Sequence, residues 1–237
     1  MQMIPGKQIK LYQTSPHPCS YLSNEQAVTA FVDPETIISS GTYEKLSSLG
    51  FRRSGSYLYK PVCEACNACV PVRIPTATFA PSKSQKRCIK RNRDISVEPK
   101  KYIDLEQHYP LYAQYINLRH ADGDMYPPSE SQFSEFINDK REETQFLEFR
   151  QSGRLIGCAV TDVLRRSLSA IYTYFDPLFC DRSLGKFAIL YQIDLAQRKG
   201  LDHVYLGYWI KQSQKMNYKA DYRPMETFDK NIWNLVE

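Results

Sequence analysis

The chain lacks a membrane-spanning run: no apolar stretch in its 237 residues approaches the roughly 18–20 that a helix needs to cross a bilayer. Its opening, MQMIPGKQIK, has neither the apolar core nor the small-residue cleavage site of a secretory signal. Together these absences predict a cytoplasmic protein with no membrane partner. Thiols stay reduced in that compartment, and seven cysteines, an odd number, exclude a framework built wholly of disulfides. Repeats and low-complexity tracts are missing, which excludes solenoids and flexible tails. No Ser-His-Asp or Cys-His constellation can be assembled, so no covalent nucleophile is indicated. One further absence is local. Residues 82–93, SKSQKRCIKRNR, contain no acid but six bases: Lys83, Lys86, Arg87, Lys90, Arg91 and Arg93.

That segment accounts for the whole basic excess. The net charge is +5, from 31 basic and 26 acidic residues, and outside the segment 25 basic face 26 acidic residues. Lys83, Lys86, Arg87, Lys90 and Arg91 fall at i, i+3, i+4, i+7 and i+8, one face of a helix. Such a stripe repels itself unless an anion lies on it. It reads either as a nucleic-acid-binding face or as a solvated basic face.

The periodicity predicts an α+β chain with two parts. Over residues 1–80, a small cysteine-containing domain holds a short helix at 23–32 (SNEQAVTAFV), capped by Ser23 with Gln26. A second helix runs over 41–50, a hairpin turns at Ser54-Gly55, and a strand passes through VPVRIPTATF. Residues 81–237 open with the basic helix and a strand near DISVEP. A helix over 105–120 follows, with Pro110 in its first turn. Next come a helix in ESQFSEFIND with a capping box of Ser129 and Gln132, and three strands joined by short links. The helix SLGKFAILYQIDLAQRKG, the strand HVYLGYW and a short helix in KQSQKMNYK complete the chain. This order is that of an N-acyltransferase (GNAT-like) fold, a mostly antiparallel sheet flanked by helices.

Several segments carry residue types suited to chemistry. Three cysteines, Cys63, Cys66 and Cys69, recur at every third position, as in a metal or iron–sulfur site or in a turn that uses cysteine. In DRSLGKFAIL, Arg182 and Gly185 fit a phosphate-holding helix entry, but Phe187 occupies the place where coenzyme A enzymes need a small residue. Arg119, His120, Asp122 and Asp124 crowd beside a turn, either gripping a zwitterion such as a peptide N-terminus or merely linking two helices. Tyr172, Tyr174, Tyr208 and Trp209 fall on neighbouring strands, as core pairs or as lining of a cleft where the central strands part. His17, His108 and His203 have no partner pattern and read as structural or surface histidines.

The long blocks GFRRSGSYLYKPVCEACNACVPVRIP, SKSQKRCIKRN, RHADGDMYPPS, AVTDVL, LSAIYTYFDP, RSLGKFAILYQI, GLDHVYLGYWI and KMNYKADYRPME run nearly end to end. On them the chain resembles the bacterial aspartate/glutamate leucyltransferases, relatives of the arginyl-tRNA–protein transferases. The resemblance implies transfer of leucine from leucyl-tRNA to the α-amine of proteins beginning with Asp or Glu. It implies leucyl-tRNA and such proteins as partners, and no DNA. The basic helix (Lys83, Lys86, Arg87, Lys90, Arg91, Arg93) would then hold the tRNA acceptor arm, with Arg182 and Gly185 near its 3′ end. Arg52, Arg53, Arg119 and His120 are candidates for the acidic side chain of the acceptor. Asp122 and Asp124 are candidates for its ammonium, and Tyr172, Tyr174 and Tyr208 for the cleft. Cys19 would join Cys63, Cys66 and Cys69 as a fourth thiolate, since eukaryotic relatives are associated with an iron–sulfur cluster. A cluster or zinc there would be structural or regulatory, and reduced thiols packing the domain stand as the alternative. Two other functions fit the same segments: a coenzyme A-dependent acetyltransferase and a non-catalytic RNA-binding regulator.

Overall fold

The computed structural model describes residues 3–4, 7–137 and 141–237. The first third of the chain contains the strands β1 (Met3–Ile4), β2 (Lys7–Gln8), β3 (Leu11–Gln13), β4 (His17–Pro18), β5 (Gln26–Ala27) and β6 (Thr29–Val32). The helix α1 (Ser40–Ser48) and the strands β7 (Arg52–Ser54), β8 (Tyr57–Pro61) and β9 (Val70–Pro75) follow. Next are α2 (Lys83–Arg91), β10 (Ser96–Lys100), α3 (Leu105–Arg119), α4 (Glu130–Phe136), β11 (Thr144–Gln151), β12 (Arg154–Val163) and β13 (Ser167–Phe175). A 3₁₀ segment Pro177–Arg182 leads into α5 (Leu184–Arg198), then come β14 (His203–Trp209), a 3₁₀ turn Asn217–Asp221, β15 (Met225–Asp229) and β16 (Ile232–Val236).

Eight strands make the main sheet in the order β10-β11-β12-β13-β14-β9-β15-β16. All its pairings are antiparallel except β13 with β14. The sequence β10, α3, α4, β11–β13, α5, β14 is the acyltransferase order expected from periodicity, and the fold is GNAT-like. A smaller sheet, β3-β6-β8-β7, covers a second core formed by Ile9, Val32, Tyr43, Leu46, Phe51, Leu58 and Leu164. Among the described residues no helix is long and apolar enough to cross a membrane.

The parallel pair is short. Ser167, Leu168 and Ser169 align with His203, Val204 and Tyr205, and no pairing between the two strands continues beyond them. Each strand is irregular near that point: β12/β13 shift register at Val160/Thr161 and β14/β9 at Tyr205/Gly207. Gly207 lies at φ +82°, backbone that side-chain-bearing residues rarely adopt. The C-terminal ends of β13 and β14 therefore part.

Several expectations need correction. The segment 23–32 is not a helix but a turn with Asn24 at φ +66°, followed by β5 and β6. Thr29, Ala30, Phe31 and Val32 alternate half-buried and buried, and β3 and β8 pair with β6 on its two sides. Cross-strand partners distant in sequence override the helical spacing. The hairpin turns one residue later than expected, on Gly55-Ser56, because Ser54 pairs with Tyr57. Pro110 is the sixth residue of α3, past its first turn. The reciprocal capping box forms at Ser82 and Gln85, whereas Ser129 only accepts from the Gln132 amide. The end of ESQFSEFIND, residues 138–139, lies outside the described residues. The KQSQKMNYK segment is turns leading into the 3₁₀ turn. The strand through VPVRIPTATF stops at Pro75, and β9 sits between β14 and β15 in the main sheet, so that sheet runs across the expected division at residue 80.

One buried hub fastens the small sheet to the large one. Asp162 of β12 accepts from Arg53 Nε (2.7 Å) and Nη2 (2.9 Å), from the Tyr43 hydroxyl (2.6 Å) and from the Thr144 hydroxyl (2.7 Å). Both Arg53 and Asp162 side chains are fully buried. Breaking a buried ion pair costs about 3–5 kcal/mol, because the remaining groups lose an acceptor that water cannot replace. Asp162→Ala should therefore lose about 3–5 kcal/mol in denaturant unfolding. A loss under about 1 kcal/mol, the scale of an exposed pair, would show that the hub is not a fastening.

Candidate active site

The basic helix forms where the sequence places it, and its two faces do different things. Inward, Cys88 and Asn92 point at the loop before α5. Asn92 Nδ2 donates to the Arg182 carbonyl at 2.9 Å, and Cys88 Sγ lies 3.9 Å and 3.8 Å from the Arg182 and Ser183 carbonyls. Gln85 Nε2 donates to the Asp221 carbonyl at 3.1 Å, at the end of the 3₁₀ turn Asn217–Asp221. Outward, Lys83, Lys86, Arg87, Lys90 and Arg93 are exposed, and none forms an ion pair among the described residues. Arg91 differs, since its guanidinium donates to the Asp181 carbonyl. The stripe is thus a cationic face with no internal counter-charge, clamped to both the α5 entry and the turn beside β14.

At the α5 entry, Ser183 adopts left-handed φ 54°, ψ 49° and provides no side-chain cap. The first-turn amides of α5 are left with no acceptor from their own cap. Gly185 lies in this turn, close to the Phe175 ring, and Phe187 is buried with its ring 5.5 Å from that of Phe149. Arg182 does not face an open loop: its Nη1 is 2.7 Å from Asp94 and its guanidinium lies over Phe179.

The five residues placed around the cleft separate. Tyr172 is half-buried, against Phe136 (ring centroids 5.2 Å), Tyr112 (6.4 Å) and Tyr115 (6.5 Å). Burial raises its phenol pKa, with Tyr115 and Tyr112 adding to the shift. Tyr174 is fully buried, its hydroxyl 2.7 Å from His108 Nδ1, while His108 Nε2 lies 3.1 Å from Glu148. With the carboxylate accepting, Nε2 carries the proton and Tyr174 donates to Nδ1. The Tyr208 hydroxyl donates to the Gly50 carbonyl at 2.9 Å and lies 3.3 Å from that of Tyr59. Those two hydroxyls serve the fold. Asp122 is exposed, 2.8 Å from Lys215, whose hydrogen bond and charge hold the carboxyl below its ordinary pKa. Asp124 is exposed and acts electrostatically on Tyr21.

The four cations assigned to an acidic ligand also divide. Arg119 is exposed and lies 5.5 Å over the Phe175 ring, with the His120 ring 4.9 Å from that of Tyr115 and tilted to it by 57°. Burial, then Lys215 and Arg119, push the His120 pKa down. Arg53 belongs to the Asp162 hub and is not available at a surface. Arg52, its neighbour, is 4% exposed and lies 4.7 Å over the Tyr205 ring. It donates to the Ser47 and Phe51 carbonyls through Nη1, and its Nε and Nη2 have no partner among the described residues. Spacing did not reveal Lys219, buried on the 3₁₀ turn and pushed down to about 7, chiefly by burial and then by Arg52. Its sequence context, an aromatic-rich stretch with other lysines, carries no burial signal.

Cys19, Cys63, Cys66 and Cys69 do converge, lining one cavity of about 670 Å³ with Tyr59, Lys60 and Tyr208. All four are free thiols. Burial pushes the Cys69 thiol up to about 12, with Cys19, Cys63 and Cys66 adding to the shift. Among the described residues no three His, Cys, Asp or Glu side chains stand close enough to hold a metal ion.

Comparison with known proteins covers most of the chain. Residues 17–87 match the family described as arginine-tRNA-protein transferase, N terminus, and residues 107–229 match its C terminus. An aspartate/glutamate leucyltransferase of Saccharophagus degradans is 48% identical over 227 residues, 95% of this chain and 96% of that one. The enzyme of the same name from Pseudomonas fluorescens strain Pf0-1 is 54% identical over 228 residues, covering 96% and 97%. Among solved structures, the ribosomal-protein-S18-alanine N-acetyltransferase of Escherichia coli is 20% identical, covering 46% of this chain and 64% of that one at a TM-score of 0.37.

His108 gives the site a pH signature. Burial lowers its pKa, with Glu148 opposing the shift. Unfolded, it takes a proton near the ordinary value of about 6.5. Just below that pH the unfolded state binds more protons than the folded state, so stability falls as pH drops from about 6.5 toward the lower folded value. Denaturant midpoints at about pH 7 and pH 5.5 should fall less in His108→Gln than in the wild type. An equally steep fall in both would remove His108 as a source.

Proposed function

The chain belongs to the arginine-tRNA-protein transferase family, and from that membership we propose its reaction: leucine passes from leucyl-tRNA to the α-amine of a protein beginning with Asp or Glu. The protein is an aminoacyltransferase whose substrates are a tRNA and a protein. The product carries an N-terminal leucine, which marks it for degradation.

The chemistry makes modest demands. The donor is an activated ester, so attack by an amine is downhill. The acceptor α-amine has an ordinary pKa of about 7.7–8.0 and is partly neutral at cellular pH. Orientation of the two substrates and stabilisation of the tetrahedral oxyanion dominate the rate. The amine attacks the ester carbonyl, the tRNA ribose oxygen leaves, and one proton passes from the nitrogen to that oxygen. Tyr172 is the phenol left beside the cleft once Tyr174 and Tyr208 are committed to the fold. No step needs an electron carrier, and the thiols of the cavity stay outside the chemistry.

One observation carries this reading. The uncompensated cationic face of α2 is hydrogen-bonded through Gln85 to the turn beside β14 and through Asn92 to the α5 entry. A polyanion held on that face is delivered to the mouth of the cleft between β13 and β14. A coenzyme A donor is less well served, because Phe187 is packed into the core where that cofactor's loop needs a small residue.

Three outcomes follow. Charge reversal of Lys86, Arg87 and Lys90 to Glu should abolish leucylation of an Asp-initiated peptide at ordinary ionic strength. Single neutralisations should each lower the slope of log K against log salt for leucyl-tRNA by about 0.7–0.9. Mass spectrometry of the peptide, with leucyl- and arginyl-tRNA run in parallel, reads the transfer and its donor; an unchanged product yield in the reversed variant would sink the reading. Protein purified anaerobically and freed of metal should transfer leucine at the full rate, and activity that returned only with added metal would overturn the thiols' non-participation.

A further inference from the structure

Side chains alternate along a strand, so the small sheet has a second face. Leu11, Val32 and Leu58 turn to the second core, and their neighbours Tyr12 of β3, Phe31 of β6 and Tyr57 of β8 turn the other way. Tyr12 stands opposite Phe31 across the β3–β6 ladder, and the Phe31 and Tyr57 rings meet edge to face at 6.0 Å. These three rings line a groove of about 720 Å³ together with Asp33 and Glu35. Tyr12 and Tyr57 are 47% and 49% exposed, so the groove is open to a partner. Its lining holds two carboxylates and no base, on a chain of net charge +5. Asp33 Oδ1 accepts from the Glu35 amide at 3.0 Å and so folds the turn that carries both acids. Glu35 forms no ion pair among the described residues. The chain's own Lys10, outside the lining, shows what these groups hold: its amine lies 4.6 Å over the Tyr12 ring and 3.8 Å from Asp33 Oδ2.

A ring face attracts a cation, and a carboxylate beside it fixes where the cation sits. A cation on an apolar stem suits such a groove, since the stem covers the rings while the head meets the acids. We propose that the groove of Tyr12, Phe31, Tyr57, Asp33 and Glu35 docks a lysine or arginine side chain of the acceptor protein, downstream of the residue that receives leucine. This rests on the aminoacyltransferase reading above. Of the two macromolecules that reading supplies, tRNA is a polyanion that the two carboxylates repel, which leaves the protein. Phe31 and Ser54 line both the groove and the cavity of about 670 Å³, so the two hollows are neighbours on one surface. The groove is fixed in the sheet, and it therefore adds a preference at a set distance from the acceptor's first residue.

Equilibrium binding of Asp-initiated peptides tests this. Each peptide is otherwise uncharged and carries one lysine, moved stepwise along it. In the controls norleucine, the same stem without the amine, replaces the lysine. Lysine should bind about fivefold more tightly than norleucine at one position or at adjacent ones, the scale of a cation on a ring beside a carboxylate. Asp33→Asn, which keeps an acceptor for the Glu35 amide, and Glu35→Gln should each remove most of that gain. Both should leave the affinities for norleucine peptides and for leucyl-tRNA unchanged. Lys10→Met takes a competing amine away from Tyr12 and Asp33 and should enlarge the gain. A gain equal at every position would mark general attraction to an acidic surface and overturn the docking; so would a gain that survives both acid substitutions. If wild type shows the positional gain yet transfers no leucine, the activity reading fails and the groove stands as a peptide site. If wild type transfers leucine but binds lysine and norleucine peptides equally, the groove alone fails.

Discussion

The three-residue pairing of β13 with β14 is the constraint on which the rest of the molecule depends. Had the strands stayed paired past Ser169 and Tyr205, the backbone groups between them would be satisfied and the sheet closed. Instead they part at their C-terminal ends, and β13 runs on to Phe175 and β14 to Trp209 without a shared ladder. Parallel pairs feel the slant of their hydrogen bonds and end more readily than antiparallel ones. Here Gly207, at a conformation only glycine adopts without strain, sits at the register shift of β14. The sheet is continuous on either side of the gap, so both strands are held by their other neighbours, β12 and β9. That rigidity matters for a reaction whose barrier is lowered by orientation more than by a potent nucleophile.

Everything else on the chain is arranged to feed that gap. The N-terminal third contributes β9, placed between β14 and β15, so the first cysteine-bearing segment is bound to the cleft wall by main-chain hydrogen bonds. Asp162 then draws β7, α1 and β11 onto β12 through four hydrogen bonds within one buried space. A fold that merely tethered the small sheet could not hold Tyr208 and Arg52 in register with Tyr59 and Lys60. Here Tyr208 reaches the Gly50 and Tyr59 carbonyls, closing the seam between the two sheets.

Much of this was legible in the sequence, and what was not has physical causes. The basic stripe, the helices expected over 105–120 and 183–200 and the three-strand meander are local patterns of period 3.6 or 2, and local patterns survive folding. The segment 23–32 was misread because its helix-like spacing is local whereas its strand partners are far away in sequence. The hairpin β15–β16 had no Asn-Gly signal; its turn places Lys230 and Asn231 at φ +47° and +65°, a type I′ turn without the usual glycine. Arg119, His120 and the basic helix stand out in the sequence by charge type, and Arg119 and the basic face are exposed in the fold. Arg53, Tyr174 and Tyr208 had the right chemistry but are committed to the fold, and only their partners Asp162, His108 and Gly50 reveal it. Lys219 was invisible for the converse reason: burial alone makes a surface residue type exceptional, and burial is a property of the whole chain.

The two sets of cations divide the labour according to their dielectric surroundings. Two unit charges 4 Å apart interact by about 1 kcal/mol in water and about 4 kcal/mol at the effective dielectric near a protein surface. On exposed α2 each contact is weak and screened by salt, so binding there requires many charges in a row, which a nucleic acid offers and a single carboxylate does not. At Arg53 the one carboxylate, Asp162, is enclosed together with its partner, and salt screens that pair little. The same residue type therefore meets solvent and outside anions where it is exposed and fastens the fold where it is buried.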